Sequence, residues 1–163
     1  MNASHFSPDT LEFLRLLFVH KVQYVIVGGE AVIYYGYARL TGDVDFFYNS
    51  SQENSQRLYD ALYEFWGGKI PGVNSFIELQ TDGTIFQFGQ PPNRIDLINK
   101  IDGVAFDEAW KSRIENEIEW ESQCILVFYI GLNELIQNKE ATRRGKDLED
   151  LKYLKSSREN LKK

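Results

Sequence analysis

Apolar positions along the chain follow two periods, one helical and one alternating. Leu11, Phe13, Leu14, Leu17 and Phe18 recur on one helical face behind a Ser7-Pro8 start. They predict a helix over residues 7–20, with Ser7 as N-cap and Pro8 in the first position. Tyr24-Val25-Ile26-Val27 is a short apolar run that stops at glycine, a strand signal. A short helix over 30–37 and a second apolar strand carrying Asp43 and Asp45 follow. A helix is predicted over 52–66, and the glycine-rich stretch 67–72 breaks the chain. Three short strands are predicted near 76–79, 84–88 and 94–98, with Pro91-Pro92 between the last two. A helix over 106–113 comes next, then a hairpin of 117–120 with 123–129. Two helices close the chain, the first over the apolar stripe of 132–139 and the second opening at 143–151. The expected fold class is α/β: a twisted mixed sheet with helices packed on it.

The chemistry sits where strands meet glycines. Gly28-Gly29 ends the first strand, and without Cβ atoms it lets the backbone approach a phosphate closely. The helix that follows would offer free N–H groups to the same anion. Asp43 and Asp45 are two residues apart on a strand, so their carboxylates project from one face. Hard cations such as Mg²⁺ favour such oxygen ligands alongside substrate phosphates. In Arg94-Ile95-Asp96-Leu97-Ile98, Ile95 and Leu97 face one side and Asp96 the other. A carboxylate so placed needs a partner, and a metal shared with Asp43 and Asp45 would supply it. Asp82 and Asp102 compete for the third position. Both precede glycine and read as turn residues, so Asp96 ranks above them.

The ordered combination of Gly28-Gly29, a two-turn helix and Arg39-Leu40-Thr41-Gly42-Asp43-Val44-Asp45 resembles the nucleotidyltransferase superfamily, the polymerase-beta-like fold in its minimal form. It looks closest to small bacterial AbiEii-type proteins, over residues 21–154. The resemblance implies that Asp43, Asp45 and Asp96 hold two Mg²⁺ ions about 3.5–4 Å apart, with Asp96 helping to remove the acceptor's proton. It implies an NTP substrate gripped at Gly28, Gly29 and residue 30, with Arg39 and Thr41 nearby. Many members carry Ser after the two glycines, whereas this chain has Glu30, which would repel a triphosphate if it faced one. Lys139, followed by Arg143-Arg144-Gly145-Lys146-Asp147-Leu148-Glu149-Asp150-Leu151, resembles the closing motif of AbiEii-type proteins. By that likeness Lys139 and Lys146 meet the triphosphate, Asp147 orients lysine or substrate, and Arg143 or Arg144 adds a bidentate phosphate contact. The implied reaction moves an NMP from an NTP to a hydroxyl on RNA (such as a tRNA end), protein or a small molecule. The implied setting is toxin–antitoxin or phage defence, with an antitoxin as partner. Two alternatives stay open: an antibiotic-modifying nucleotidyltransferase, and a non-catalytic nucleotide-binding module of the same fold.

Composition narrows the class without choosing the substrate. The 163 residues suffice for one core, and 43% hydrophobic with 14% aromatic residues argues against disorder. One domain over 1–163 is expected, with a core at 21–154 and a basic tail at 155–163. A net charge of −6 opposes general attraction to nucleic acid, so no stable DNA binding is expected. Positive charge gathers late, in Arg143, Arg144, Lys146, Lys152, Lys155, Arg158, Lys162 and Lys163. No apolar run of membrane length and no apolar signal core in residues 1–9 is found, so a cytoplasmic protein is expected. Cys124, the one cysteine, lies in the apolar run 124–128 and reads as a buried thiol. His5 and His20 have no metal-ligand spacing.

Overall fold

Alternation within the first strand decides the layering. A computed structural model describes residues 6–161, and in it β1 (Tyr24–Val27) lies near the middle of a six-stranded mixed sheet. Tyr24 and Ile26 point to one face, Val25 and Val27 to the other, and each face meets its own hydrophobic cluster. The first face is covered by α1 (Pro8–Val19) and α3 (Gln52–Phe65), through Leu11, Phe13, Leu14, Leu58 and Leu62. The second is covered by α2 (Gly28–Tyr34), α4 (Phe106–Lys111), α5 (Leu132–Thr142) and α6 (Gly145–Leu161), through Val32, Ala109, Leu135, Ile136, Leu151 and Leu154. Ser7 caps α1 as its position before Pro8 predicts, accepting the Thr10 N–H at 3.2 Å.

The remaining strands are β2 (Asp43–Tyr48), β3 (Ile85–Phe88), β4 (Arg94–Ile98), β5 (Ile114–Trp120) and β6 (Gln123–Tyr129), in the order β3-β4-β2-β1-β6-β5. β2 runs antiparallel to β1 and parallel to β4. That last pairing brings Asp43 opposite Arg94 and Asp45 opposite Asp96. Val44, Phe46 and Tyr48 enter the α1/α3 cluster, as do Ile95 and Leu97 of β4. Pleating therefore sends Asp43, Asp45, Arg94 and Asp96 to the α2/α5/α6 side.

Several expectations are corrected. Residues 76–79 are not a strand: Phe76–Gln80 is a 3-10 helix whose start is capped by the Ser75 hydroxyl, which accepts the Ile77 N–H at 3.2 Å. α2 begins two residues before the expected position and ends earlier, at Tyr34. β5 starts at Ile114, and the hairpin turn is Glu121-Ser122, both at positive φ (52° and 61°). Cys124 is exposed rather than buried. Ile125, Val127 and Tyr129 take the inner face of β6, so the period of two turns Cys124 outward, beside Glu117 and Glu119. The stretch read as a basic tail is helical as far as Leu161. Residues 1–5 with His5, and Lys162 and Lys163, lie outside the described residues. Among the described residues no helix is long and apolar enough to cross a membrane.

Candidate active site

A 470 Å³ cleft opens on the α2/α5/α6 side of the sheet, between the ends of β2 and β4 and the start of α6. The carboxylates of Asp43, Asp45 and Asp96 converge there, with one oxygen from each within 4.8 Å of the others. Two of the three come from alternate residues of β2, and the register of β4 brings in the third. The same register adds Arg94, two residues before Asp96 on the same face. Its Nη2 donates to Asp43 Oδ2 at 2.6 Å and to Asp96 Oδ2 at 3.1 Å, and its Nε donates to Asp96 Oδ1 at 2.8 Å. Gln87 of β3 approaches Asp96 from the other side at 3.4 Å.

Asp96 is the most buried of the three acids, and Asp45 sits half-buried between its neighbours' charges. Burial, then the nearby charges of Asp43 and Asp96, push its carboxyl up to about 7. A carboxylate repelled by two others is the donor set that a hard divalent cation relieves. The three acids therefore fit an oxygen-ligated divalent metal. Asp82 and Asp102, the competitors for the third place, lie elsewhere. Asp82 pairs with Lys100 at 3.4 Å, and the Asp102 carbonyl accepts from the Asn138 amide at 2.8 Å.

The glycine pair forms the opposite wall. Gly28 has φ +66°, and a Cβ there would overlap the Asp45 carboxylate. A Cβ on Gly29 would lie 2.8 Å from Thr41 Oγ1 and 3.1 Å from Arg39 Nη2. The missing side chains thus let Asp45, Thr41 and Arg39 pack directly against this stretch of backbone. Glu30 does not line this cleft. It is buried on α2, and its charge, after burial itself, raises the Tyr129 hydroxyl. The repulsion expected from the Glu30 carboxylate is therefore not aimed at the cleft.

Beneath the glycine wall runs a line of alternating charges. Arg39 Nε lies 3.2 Å from Asp150 Oδ1, and Asp150 Oδ2 lies 3.2 Å from Lys139 Nζ. Lys139 Nζ lies 2.9 Å from Asp147 Oδ1, and Arg144 Nε lies 2.8 Å from Asp147 Oδ2. The Lys139 side chain is 3% exposed and that of Asp147 is 0% exposed, so this pairing is internal. Burial alone would raise the Asp147 carboxyl, but hydrogen bonds from Arg144, Lys139 and Thr142 outweigh it and hold the carboxyl well below the usual range. Lys139, Arg144 and Lys146 line the cleft, whereas Arg143 does not. Arg143 takes the left-handed position after α5 (φ +50°), where its N–H bonds the Lys139 carbonyl at 3.0 Å.

A family model matches residues 10–157, and its description is nucleotidyltransferase of unknown function (DUF6036). The chain belongs to this family. No curated protein matches it. In this member of the nucleotidyltransferase family, sequence reasoning passed over Arg94 and Asp150 as site residues. Both were signalled. Arg94 shares a strand face with Asp96, and Asp150 falls on the helical stripe of Asp147, Leu151 and Leu154, all four buried in α6 or at its cleft end. A larger hollow of 760 Å³ lies between α2, β5 and the end of α6. It has no charged lining residue, whereas the chemistry gathers in the acidic cleft.

Proposed function

We propose that the cleft transfers a nucleoside monophosphate from an NTP to a hydroxyl acceptor and releases pyrophosphate. The observation that carries this reading is the convergence of Asp43, Asp45 and Asp96 within 4.8 Å, facing a glycine wall and a set of cations. Asp43, Asp45 and Asp96 would hold a divalent metal, which when bound would neutralise triphosphate charge and lower the pKa of the acceptor hydroxyl. The open backbone at Gly28 and Gly29 receives phosphate oxygens. Thr41 and Arg39 flank that backbone and fix the phosphates' position. Lys139, Arg144 and Lys146 offset the charge of the triphosphate from the α5/α6 side. Asp96, next to β3 at the cluster's edge, takes the acceptor's proton. The acceptor oxygen forms a bond to the α-phosphorus while the bond to the β-phosphate bridging oxygen breaks in line, and no covalent enzyme intermediate is needed.

Family membership and the acid geometry support this reaction class. The acceptor is read from chemistry alone as a hydroxyl of RNA, protein or a small molecule. Incubating the protein with each α-labelled NTP, Mg²⁺ and fractionated cell extract tests it. Label is expected in one fraction, and Asp43→Asn and Asp45→Asn should each lower transfer by two orders of magnitude or more, about 3 kcal/mol of transition-state stabilisation. Transfer that survives both substitutions would overturn the reading.

A further inference from the structure

The least expected cleft residue is a cation already seated among the acids. Arg94 and Asp96 share a face of β4, and the β2–β4 register sets Arg94 beside Asp43. One guanidinium nitrogen, Nη2, reaches across from Asp43 Oδ2 at 2.6 Å to Asp96 Oδ2 at 3.1 Å. A fork of this kind is pre-organised for carboxylates and stays charged at any physiological pH. A metal held jointly by Asp43 and Asp96 draws on the same oxygens. A dication and a guanidinium within a few ångströms also repel each other strongly at a partly buried site. The two cations are therefore competitors for one set of ligands.

We propose that Arg94 is an internal counter-cation that holds Asp43 and Asp96 together until divalent metal displaces it, and so sets the metal affinity of the cleft. The proposal rests on the reading of the three acids as metal ligands. It gives Arg94 a positioning role, since it keeps mutually repelling carboxylates converged in the free protein. The cost is weaker metal binding, because each ion must break the Arg94–Asp43 contact. The Arg94 side chain is 28% exposed at the cleft, so it is not locked in the interior.

The sign of one substitution separates this from the ordinary alternative. An outer-shell partner that merely orients ligands lowers metal affinity when removed, typically 10–100-fold. A competitor does the opposite. Mn²⁺ titrated against the protein alone, with free Mn²⁺ read by electron paramagnetic resonance, should bind Arg94→Met about tenfold more tightly than the wild type. Arg94→Lys keeps the charge without the fork and should fall between them. Equal or weaker binding by Arg94→Met overturns the proposal while leaving the nucleotidyl-transfer reading intact. Absence of Mn²⁺ binding in the wild type and Arg94→Met alike overturns both. A second measurement needs no variant. The Arg94 Nε–H resonance in ¹⁵N spectra of the wild type should move as Mg²⁺ is added, following loss of the Asp96 and Asp43 bonds. A resonance unmoved at saturating Mg²⁺ overturns the proposal even if Arg94→Met fails to fold.

Discussion

Asp45 shows how a single residue couples stability to chemistry. Its folded-state carboxyl is pushed up to about 7, first by burial and then by Asp43 and Asp96. The folded protein therefore holds a proton that the unfolded chain has already released between about pH 4 and pH 7. The stability linked to that proton is fully present below the unfolded value. It is lost as pH rises through the folded one. Metal-free protein should thus melt lower at pH 8 than at pH 5, to the extent that Asp45 contributes. Asp45→Asn removes the charge that causes the loss. In EDTA at pH 8 the variant should melt roughly 3–6 °C above the wild type, as about 1–2 kcal/mol gives in a chain of this size. At pH 5 the two should nearly coincide. Melting curves at both pH values check this, and an equal offset at both would show that Asp45 is not the group responsible. Such a group, unfavourable alone and relieved by a ligand, is typical of a functional position rather than a packing one.

At the scale of elements, the junction of α5 and α6 is held by charge inside the protein. Lys139 of α5 faces Asp147 and Asp150 of α6, all three with side chains at most 3% exposed. Removing Lys139 leaves Asp147 its bonds to Arg144 and Thr142 and Asp150 its contact with Arg39, but takes away the buried cation between the two acids. Lys139→Met should cost about 3–5 kcal/mol in urea unfolding, and Lys139→Met/Asp150→Asn should recover part of it, because one of the two repelling acids is then neutral. Additive losses in the double variant would show that the two do not interact. The same junction marks where the sequence was legible and where it was not. The helical stripe of 132–139 and the start of α6 could be read, because 3.6-residue periodicity reports burial directly. Which of the two arginines faces the cleft could not, because neighbours in sequence differ only in backbone twist. Arg143 takes φ +50° as the cap, and Arg144, itself exposed, reaches Asp147 and the edge of the cleft. Elsewhere the strand run 94–98 was legible from its flanking apolar residues. The 3-10 helix at Phe76–Gln80 was not, since a five-residue segment with three apolar residues looks the same in either state until a cap such as Ser75 is weighed. Cys124 was misread for a related reason: an edge hairpin can present an apolar-looking run with one face in solvent.

For the whole molecule, the decisive arrangement is that opposite charges reach one cleft from different layers. The sheet supplies the three acids, and α5, α6 and the junction between them supply Lys139, Lys146 and Arg144. The chain as a whole carries −6, so its overall charge does not draw a polyanion in. On the proposed reading, a triphosphate arriving without metal would meet cations on one wall and three carboxylates on the other. The repulsion from those carboxylates offsets much of the attraction. Metal arriving without nucleotide meets the acids but leaves its outward charge unmatched. Each ligand therefore improves the site for the other, and the improvement must be reciprocal. Ligands that bind only the folded state stabilise it by RT ln(1 + L/Kd), where L is the free ligand concentration, so the coupling can be read as heat stability. Thermal melts with Mn²⁺ alone, with a non-hydrolysable NTP alone, and with both should give a joint shift larger than the sum of the separate ones, by several degrees for a coupling of about 1–3 kcal/mol. In Asp43→Asn/Asp45→Asn the excess should vanish, while any small response to nucleotide through the α5/α6 cations persists. A strictly additive response in the wild type would mean that metal and nucleotide occupy separate places, and the two walls of the cleft would then not serve one reaction.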